Sequence, residues 1–323
     1  MPHKQDESSP FIPRYSCTAE GIGEDGLRLD RYAAENLKLL SRSQIRARNL
    51  RARVNSREVK ISRILKSGDS LELFWEDAEP ENLIPEDLPL DILYEDDRVA
   101  VINKAQGMVV HPGAGNFHGT LANALYFRRL NRQNHEGDLG LRPNEPGLRP
   151  GIVHRLDKDT SGIIITAWDE EAHVFLADQF KNRRVTKTYA AVVQGCPDSQ
   201  GRIDSPIGRN KHNRKIFSID PGGKASLTFY KVVKSWDAYS LLLLRPKTGR
   251  THQIRVHLKS IGHPILGDPL YSRPDPVFPR QTLMLHAKRL SIILPGEKQR
   301  RSFRTPFPRR FLDLFSILDS GNN

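Results

Sequence analysis

Over residues 76–97 the chain carries ten acidic residues, no lysine or arginine, and three prolines, Pro80, Pro85 and Pro89. Each proline lacks a backbone donor and fixes φ, so no continuous helix runs through this stretch, and its dense like charge cannot be buried. The chain must therefore fold as one body before this stretch and another after it. Its 323 residues point the same way, because single hydrophobic cores stop growing at roughly 250–300 residues. The expected partition is a flexible tail over 1–25, a small domain over 26–76, an acidic linker over 77–89 and a large domain over 90–318.

The segment before the linker has the opposite charge. Over residues 42–66 nine basic residues stand against one acid, Glu58, and the whole chain carries a formal net charge of +12. Such a surplus points to a polyanionic partner, either nucleic acid or an anionic membrane surface. The most apolar stretches, 162–168 and 240–244, fall far short of the ~18 residues of a membrane span. Residues 1–14 carry Lys4, Asp6 and Glu7 where a secretion signal is apolar, so the expected compartment is the cytoplasm. Cys17 and Cys196, the only cysteines, fit a reducing compartment and exclude a cysteine-rich zinc site.

Leu29, Tyr32, Ala33, Leu37 and Leu40 recur at helical spacing, and a second helix is expected from Ser41, with Ser43 as a further cap. Lys66-Ser67-Gly68-Asp69 reads as a turn before the alternating strand residues Leu71, Leu73 and Trp75. Beyond the linker, strands are expected over 91–94, 99–103, 108–111, 152–157, 163–168, 185–194, 226–235, 239–245 and 289–294. Helices are expected near 120–129, 169–181, 251–261 and 310–318. Strands outnumber helices and do not alternate strictly with them. This predicts an α+β fold, a mixed and mainly antiparallel sheet, preceded by a small α/β domain. The loop over 131–150 is long and rich in Gly, Pro and Asn, hence mobile or functional.

Within the large domain, Ile152-Val153 and Ile163-Ile164-Ile165 flank the polar run His154-Arg155-Leu156-Asp157-Lys158-Asp159-Thr160-Ser161-Gly162. In an extended backbone alternate side chains share a face, pairing Arg155 with Asp157 and His154 with Leu156. An isolated Arg-x-Asp pair is commonly a solvated ion pair worth ~0–1 kcal/mol. Here the nine-residue context sets the pair apart. The run resembles the signature of the RluA-type pseudouridine synthases, whose His-Arg-Leu-Asp aspartate is the catalytic residue. Further landmarks follow in that family's order: Tyr94-Glu95-Asp96-Asp97, Val101-Ile102-Asn103-Lys104, His111-Pro112-Gly113, Lys187-Thr188-Tyr189, the run from Lys247 through Gln253-Ile254-Arg255 to His257, and Gly262-His263-Pro264 to Gly267-Asp268. Residues 27–75 resemble an S4 RNA-binding domain, through Leu27-Arg28-Leu29-Asp30, Leu40-Ser41-Arg42-Ser43, Val54-Asn55 and Gly68-Asp69. The combination is similar to the RluD-like branch acting on large-subunit ribosomal RNA. Two departures stand out: Arg53 and Ser56 where a glycine is usual beside Val-Asn, and Ala105 where a proline commonly follows the lysine.

The resemblance implies an isomerase that breaks the N1–C1′ bond of uridine, turns the base and rejoins it through C5, most naturally in 23S-type ribosomal RNA. Such an enzyme extrudes the nucleotide into a closed pocket. By the family pattern Asp157 is the carboxylate and Arg255 the cation that keeps it ionised in a dry site, with Arg250 competing by type and better suited to phosphate. Tyr189 would stack on the base, although a strand tyrosine can equally be packing. Leu285 would line the wall and Arg155 would fill the gap left by the base. His154 would contact RNA or serve as a satisfied structural histidine. Arg46, Arg48 and Arg51 would form the phosphate-binding face of the S4 domain. A carboxylate so placed has three first steps open to it: attack on C1′, attack on C6, and removal of a C2′ proton. The reaction is redox-neutral and needs no cofactor or metal, and a monomer is expected. Two rivals share parts of this pattern. A non-catalytic S4-type RNA-binding or ribosome-assembly factor has no use for Asp157, Tyr189 and Arg255, and a base-removing glycosylase would release free uracil. His252 and His257, five apart, fall on different faces of a helix or strand, against a paired metal site. Gly222-Gly223-Lys224-Ala225 lacks the hydroxyl that a nucleotide-binding loop needs.

Overall fold

The structure, a computed structural model, describes residues 13–37, 39–40, 45, 49–75, 83–113, 115–135, 151–210, 213 and 216–320. The chain divides into two compact units, Met1–Asn82 and Leu83–Asn323. The first holds β1 (Tyr15–Thr18), β2 (Leu27–Arg28), a helical turn α1 (Leu29–Arg31) running into a wider π-turn (Tyr32–Asn36), β3 (Arg51–Val54), β4 (Arg57–Val59), β5 (Ile64–Leu65) and β6 (Ser70–Phe74). Four of these strands form an antiparallel sheet in the order β1-β6-β3-β4, and β2 pairs β5. Leu71 and Leu73 of β6 point into a core closed by Leu29, Tyr32 and Ala33.

Strand β1 corrects the expectation of a tail up to residue 25. Tyr15 to Thr18 pair with Leu73 to Ser70, and Tyr15 and Cys17 pack on the core. Four residues of alternating pattern are too short to stand out from their polar, glycine-rich surroundings. The Val54-Asn55 turn also explains how this chain manages without the usual glycine. Asn55 and Ser56 both adopt positive φ, 51° and 65°, the geometry of a two-residue hairpin turn. The Asn55 amide ties it down, donating to Asp69 (2.8 Å) and accepting from the Ser70 N–H (2.8 Å). The helix expected from Ser41, and with it Arg46 and Arg48, lies outside the described residues, as does most of the 131–150 loop.

The second unit runs β7 (Ile92–Glu95), β8 (Val99–Lys104), α2 (Leu121–His135), β9 (Ser161–Ala167), α3 (Glu170–Lys181), β10 (Thr186–Gln194), β11 (Gln200–Asp204), β12 (Ile207–Arg209), β13 (Phe217–Ile219), β14 (Leu227–Ser235), β15 (Tyr239–Pro246), α4 (Gln253–Ser260), β16 (Leu285–Ile293), β17 (Arg300–Arg304) and α5 (Arg309–Ser320). A nine-stranded sheet takes the order β11-β14-β15-β10-β16-β9-β8-β7, with β17 also on β16. Among the described residues its ladders are antiparallel except for β9 with β16. This is the mixed, mainly antiparallel α+β architecture expected.

The central strands read as unbroken apolar runs because helices cover both faces. Val99, Val101, Ile163 and Ile165 pack with Ala172 and Leu176 of α3. Ala100, Ile102 and Ile164 turn the other way, to Leu121 and Leu125 of α2. Asp169 caps α3, accepting from the Ala172 N–H at 2.7 Å.

Three local expectations change. Residues 108–111 and 152–157 are loops, apart from a single bridge between Ile152 and Thr166. The second loop turns back on itself where the Thr160 N–H donates to the Asp157 carbonyl (3.1 Å) and so feeds β9. Nor are residues 84–88 a free linker. Asn123 donates to the Ile84 carbonyl (2.8 Å), and the Glu86 carboxylate takes the Gly119 N–H (3.0 Å), anchoring the segment to the start of α2.

The parallel joint of β9 and β16 positions the site. Gly162 sits there at φ +113°, and a Cβ on it would lie 2.4 Å from the Ala287 carbonyl oxygen. No other residue allows that approach. The joint holds the loop that carries Asp157 against the start of β16.

Candidate active site

A cleft of about 640 Å³ opens in the second unit, lined by the 153–157 loop, the end of α3, the start of β10, the β15–α4 turn and Leu285. His154, Arg155, Asp157, Tyr189, Arg250, Arg255 and Leu285 all line it. Arg51 stands at the start of β3 in the first unit. Among the described residues Asp157 is the only acid in the lining. Around it stand Arg155, Lys181, Arg183, Lys187, Lys247, Arg250 and Arg255.

Asp157 and Arg255 are 98 residues apart in the chain, yet Arg255 Nη1 lies 3.4 Å from Asp157 Oδ2. The guanidinium is held from behind by Asp268, with Nε and Nη2 each donating at 2.7 Å. Asp268 Oδ1 also takes the Leu270 and Tyr271 N–H groups, at 2.9 and 3.1 Å. A two-pronged pair of this kind fixes orientation as well as charge. Burial works against the Arg255 charge, but its bonds and attraction to Asp268 outweigh that and raise its pKa above the ordinary value. The Tyr271 ring lies beneath the guanidinium, 5.0 Å away.

His252, the N-cap residue of α4, faces the same carboxylate, with Nε2 4.0 Å from Asp157 Oδ2 and Nδ1 2.8 Å from the Tyr271 hydroxyl. Burial lowers its pKa, against the pull of Asp157. Sequence reasoning had used His252 only to dismiss a metal site and had passed over Tyr271. Asp268 stood in the Gly262–Asp268 landmark with no role. The one signal for it was a carboxylate inside an otherwise apolar run.

Tyr189 reaches the cleft from β10, where a register shift between Thr188 and Tyr189 bends the ladder against β16. Such bulges re-aim a side chain. Burial, then the charge of Asp157, raises its phenol pKa, so the ring stays neutral. Leu285 is buried at the start of β16 beneath it. His154 turns its edge inward: its Nε2 accepts the Ile165 N–H (3.1 Å) and its ring stacks on Phe180 (4.4 Å). Burial, then Lys187, lowers its pKa to about 3. Arg155 is exposed and makes no hydrogen bond or ion pair among the described residues. Arg250 bridges less tightly, its Nε 3.4 Å from the Ala225 carbonyl. Beneath the loop, Lys104 is 1 % exposed and donates to the carbonyls of Ala105, Met108 and Lys158. Burial lowers its pKa to about 7, opposed by Asp159 and Asp157. Among the described residues no three His, Cys, Asp or Glu side chains group as metal ligands, and no helix is long and apolar enough to cross a membrane.

A carboxylate held beside a buried guanidinium, in a cleft lined by cations, is suited to an anionic substrate. A family model for RNA pseudouridylate synthase matches residues 98–260. The chain is 42 % identical to the ribosomal large subunit pseudouridine synthase D of Borreliella burgdorferi, over 91 % of this chain and 90 % of that one. It is 38 % identical to the Pseudomonas aeruginosa protein of the same name, over 91 % and 92 %. The human protein RNA pseudouridylate synthase domain containing 1 aligns with a TM-score of 0.54 and 31 % identity, covering 68 % of this chain and 84 % of that one. The chain belongs to the RNA pseudouridylate synthase family, in its RluA-type, RluD-like group.

Proposed function

We propose that this RNA pseudouridine synthase isomerises uridines of large-subunit ribosomal RNA in the cytoplasm, with Asp157 as its catalytic carboxylate. The observation that carries this reading is that, among the described residues, Asp157 is the single acid in a cleft that also presents seven lysines and arginines, with Arg255 Nη1 3.4 Å away. Phosphates are drawn to the rim while the carboxylate meets the sugar and base. The volume of about 640 Å³ suits one extruded nucleotide, since small-ligand pockets span roughly 300–1,000 Å³. Arg255, pinned by Asp268, sets a fixed positive charge beside the Asp157 carboxylate. Tyr189, neutral beside it, offers a ring for the uracil to stack on. Arg155, uncommitted at the rim, can stack in the gap or hold a phosphate.

The N1–C1′ bond breaks, C5 bonds to C1′, C5 loses its proton and N1 gains one. The composition of the RNA is unchanged. The first unit, with the S4-like features of its sequence, supplies grip on the RNA through its basic segment.

The deciding experiment incubates the protein with a ribosomal RNA fragment, digests it to nucleosides and separates them. Pseudouridine without free uracil is expected. Free uracil would mean a glycosylase, and unchanged uridine a binding protein.

A further inference from the structure

His252 has a backbone that its place in the helix does not explain. It sits at φ 57° and ψ 16°, the left-handed region that L side chains adopt at a cost. It is the N-cap residue of α4, yet its side chain caps no backbone N–H. Serine, threonine, aspartate or asparagine would serve that position better. Strained residues of this kind persist where the surroundings demand their side chain.

The surroundings specify the ring in detail. Phe217 and Tyr271 meet it edge-on, at centroid distances of 5.6 and 5.5 Å. The Tyr271 hydroxyl accepts the Phe217 N–H at 2.8 Å. Among the described residues the one acceptor within reach of its own proton is His252 Nδ1, at 2.8 Å. A buried hydroxyl finds an acceptor, so Nδ1 accepts and the imidazole proton resides on Nε2. That nitrogen faces Asp157 Oδ2 at 4.0 Å, the same oxygen that Arg255 Nη1 approaches at 3.4 Å. Oδ1 has no hydrogen bond among the described residues. Arg255 Nη1 is thus within hydrogen-bond reach of Oδ2, and the Nε2–H dipole faces the same oxygen from 4.0 Å, just beyond that reach. The charged groups acting on the ring are Asp157, Arg255, Asp268 and Arg155.

We propose that His252 is a positioning residue: with its proton held on Nε2 by Tyr271, it faces Asp157 Oδ2 beside Arg255 and so presents Oδ1 to the extruded nucleotide. This rests on the reading of Asp157 as the catalytic carboxylate. It adds an uncharged N–H dipole aimed at Oδ2 from 4.0 Å, which the Arg255 pair does not supply.

Two substitutions separate the parts of the ring. In His252→Gln the terminal amide reaches roughly where Nε2 stands. In His252→Asn the shorter amide can meet Tyr271 but not Asp157. Asparagine tolerates a left-handed backbone better than most residues, so a weak His252→Asn enzyme is not a misfolded one. At saturating RNA, His252→Gln is expected to exceed His252→Asn in kcat by about tenfold, with KM alike in both. Tyr271→Phe keeps the ring but loses the hydroxyl, and should lower kcat without raising KM. Nitrogen NMR on histidine-labelled wild type should show the proton on Nε2, and in Tyr271→Phe a mixture of tautomers. Equal kcat in the Gln and Asn variants, or a wild-type proton on Nδ1, overturns the proposal while pseudouridine formation stands. An active Asp157→Asn enzyme overturns both.

Discussion

In the first unit Arg28 meets Asp30 and Arg31 meets Glu35, with the four side chains 28 to 53 % exposed. In the second, Arg255 meets Asp268 with exposures of 4 and 0 %. All three join an arginine to a carboxylate at similar distances, but the two kinds of pair differ in what they can do. An exposed pair is worth ~0–1 kcal/mol and is readily exchanged for another partner. Its arginine remains available to a phosphate. A buried pair cannot be exchanged, because separating it strands a charge without water. Its arginine is committed to one direction, here toward Asp157. A charge that must meet a phosphate and a charge that must hold a carboxylate thus need opposite burial.

The sharpest test removes the chemistry and leaves the grip. Asp157→Asn keeps the shape of the side chain and loses its charge. We expect no pseudouridine in a nucleoside digest, with RNA affinity within about twofold of wild type, since the rim cations that meet phosphate are untouched. Loss of affinity in step with activity would merge the two roles that the comparison keeps apart.

Next in size is the contrast of the pairs themselves. Asp268→Asn leaves the buried Arg255 with a neutral partner and should destabilise the second unit by roughly 3–5 kcal/mol in urea unfolding. The matching change in the first unit, Asp30→Asn, should cost at most about 1 kcal/mol. Equal costs would show that exposure does not separate the pairs.

Much of this division was legible in the residue order. The acidic, proline-bearing stretch marked where the chain divides, and Ile163-Ile164-Ile165 announced a strand covered on both faces. Strands β11, β12 and β13 went unread because Gln200-Gly201-Arg202-Ile203-Asp204 and its neighbours are short and polar, with little apolar alternation. In the site, Asp157 and Arg255 were legible through the resemblance carried by the runs His154 to Gly162 and Lys247 to His257. Asp268, His252 and Tyr271 did not, for each acquires its meaning only from a partner brought near by the fold. A carboxylate between Gly267 and Pro269 looks like a turn residue until Arg255 is placed on it. The left-handed backbone of His252 has no counterpart in residue type at all.

Acid should also divide the units. Burial lowers the pKa of His286 to about 4 and that of His154 to about 3, against about 6.5 in an unfolded chain. Above that value neither state binds the proton and the stability is intact. As pH falls from there toward 4 the unfolded chain takes up protons that the folded one refuses, so stability declines. From pH 7 to pH 5, His286 alone should cost the second unit about 2 kcal/mol. Apart from His3, the first unit contains no histidine. Urea unfolding followed through Trp75 in one single-tryptophan variant and Trp236 in another should show the second midpoint falling while the first holds.

The smallest effect per residue, and the one that bears most directly on the first unit, is in the salt dependence of RNA binding. Each arginine that neutralises a phosphate releases counterions, so replacing it lowers the slope of log affinity against log salt by about one. Replacing Arg46, Arg48 and Arg51 together with alanine should flatten that slope by up to about three. The same variant at saturating RNA should keep kcat within about twofold, because Asp157, Tyr189 and Arg255 of the second unit are unchanged. The converse change, Lys247→Ala with Arg183→Ala at the rim, should alter slope and kcat together, since those cations meet RNA beside Asp157. If the triple variant left the slope unchanged, the basic run of residues 42–66 would be solvated charge with no RNA upon it, and the grip would belong to the cleft alone.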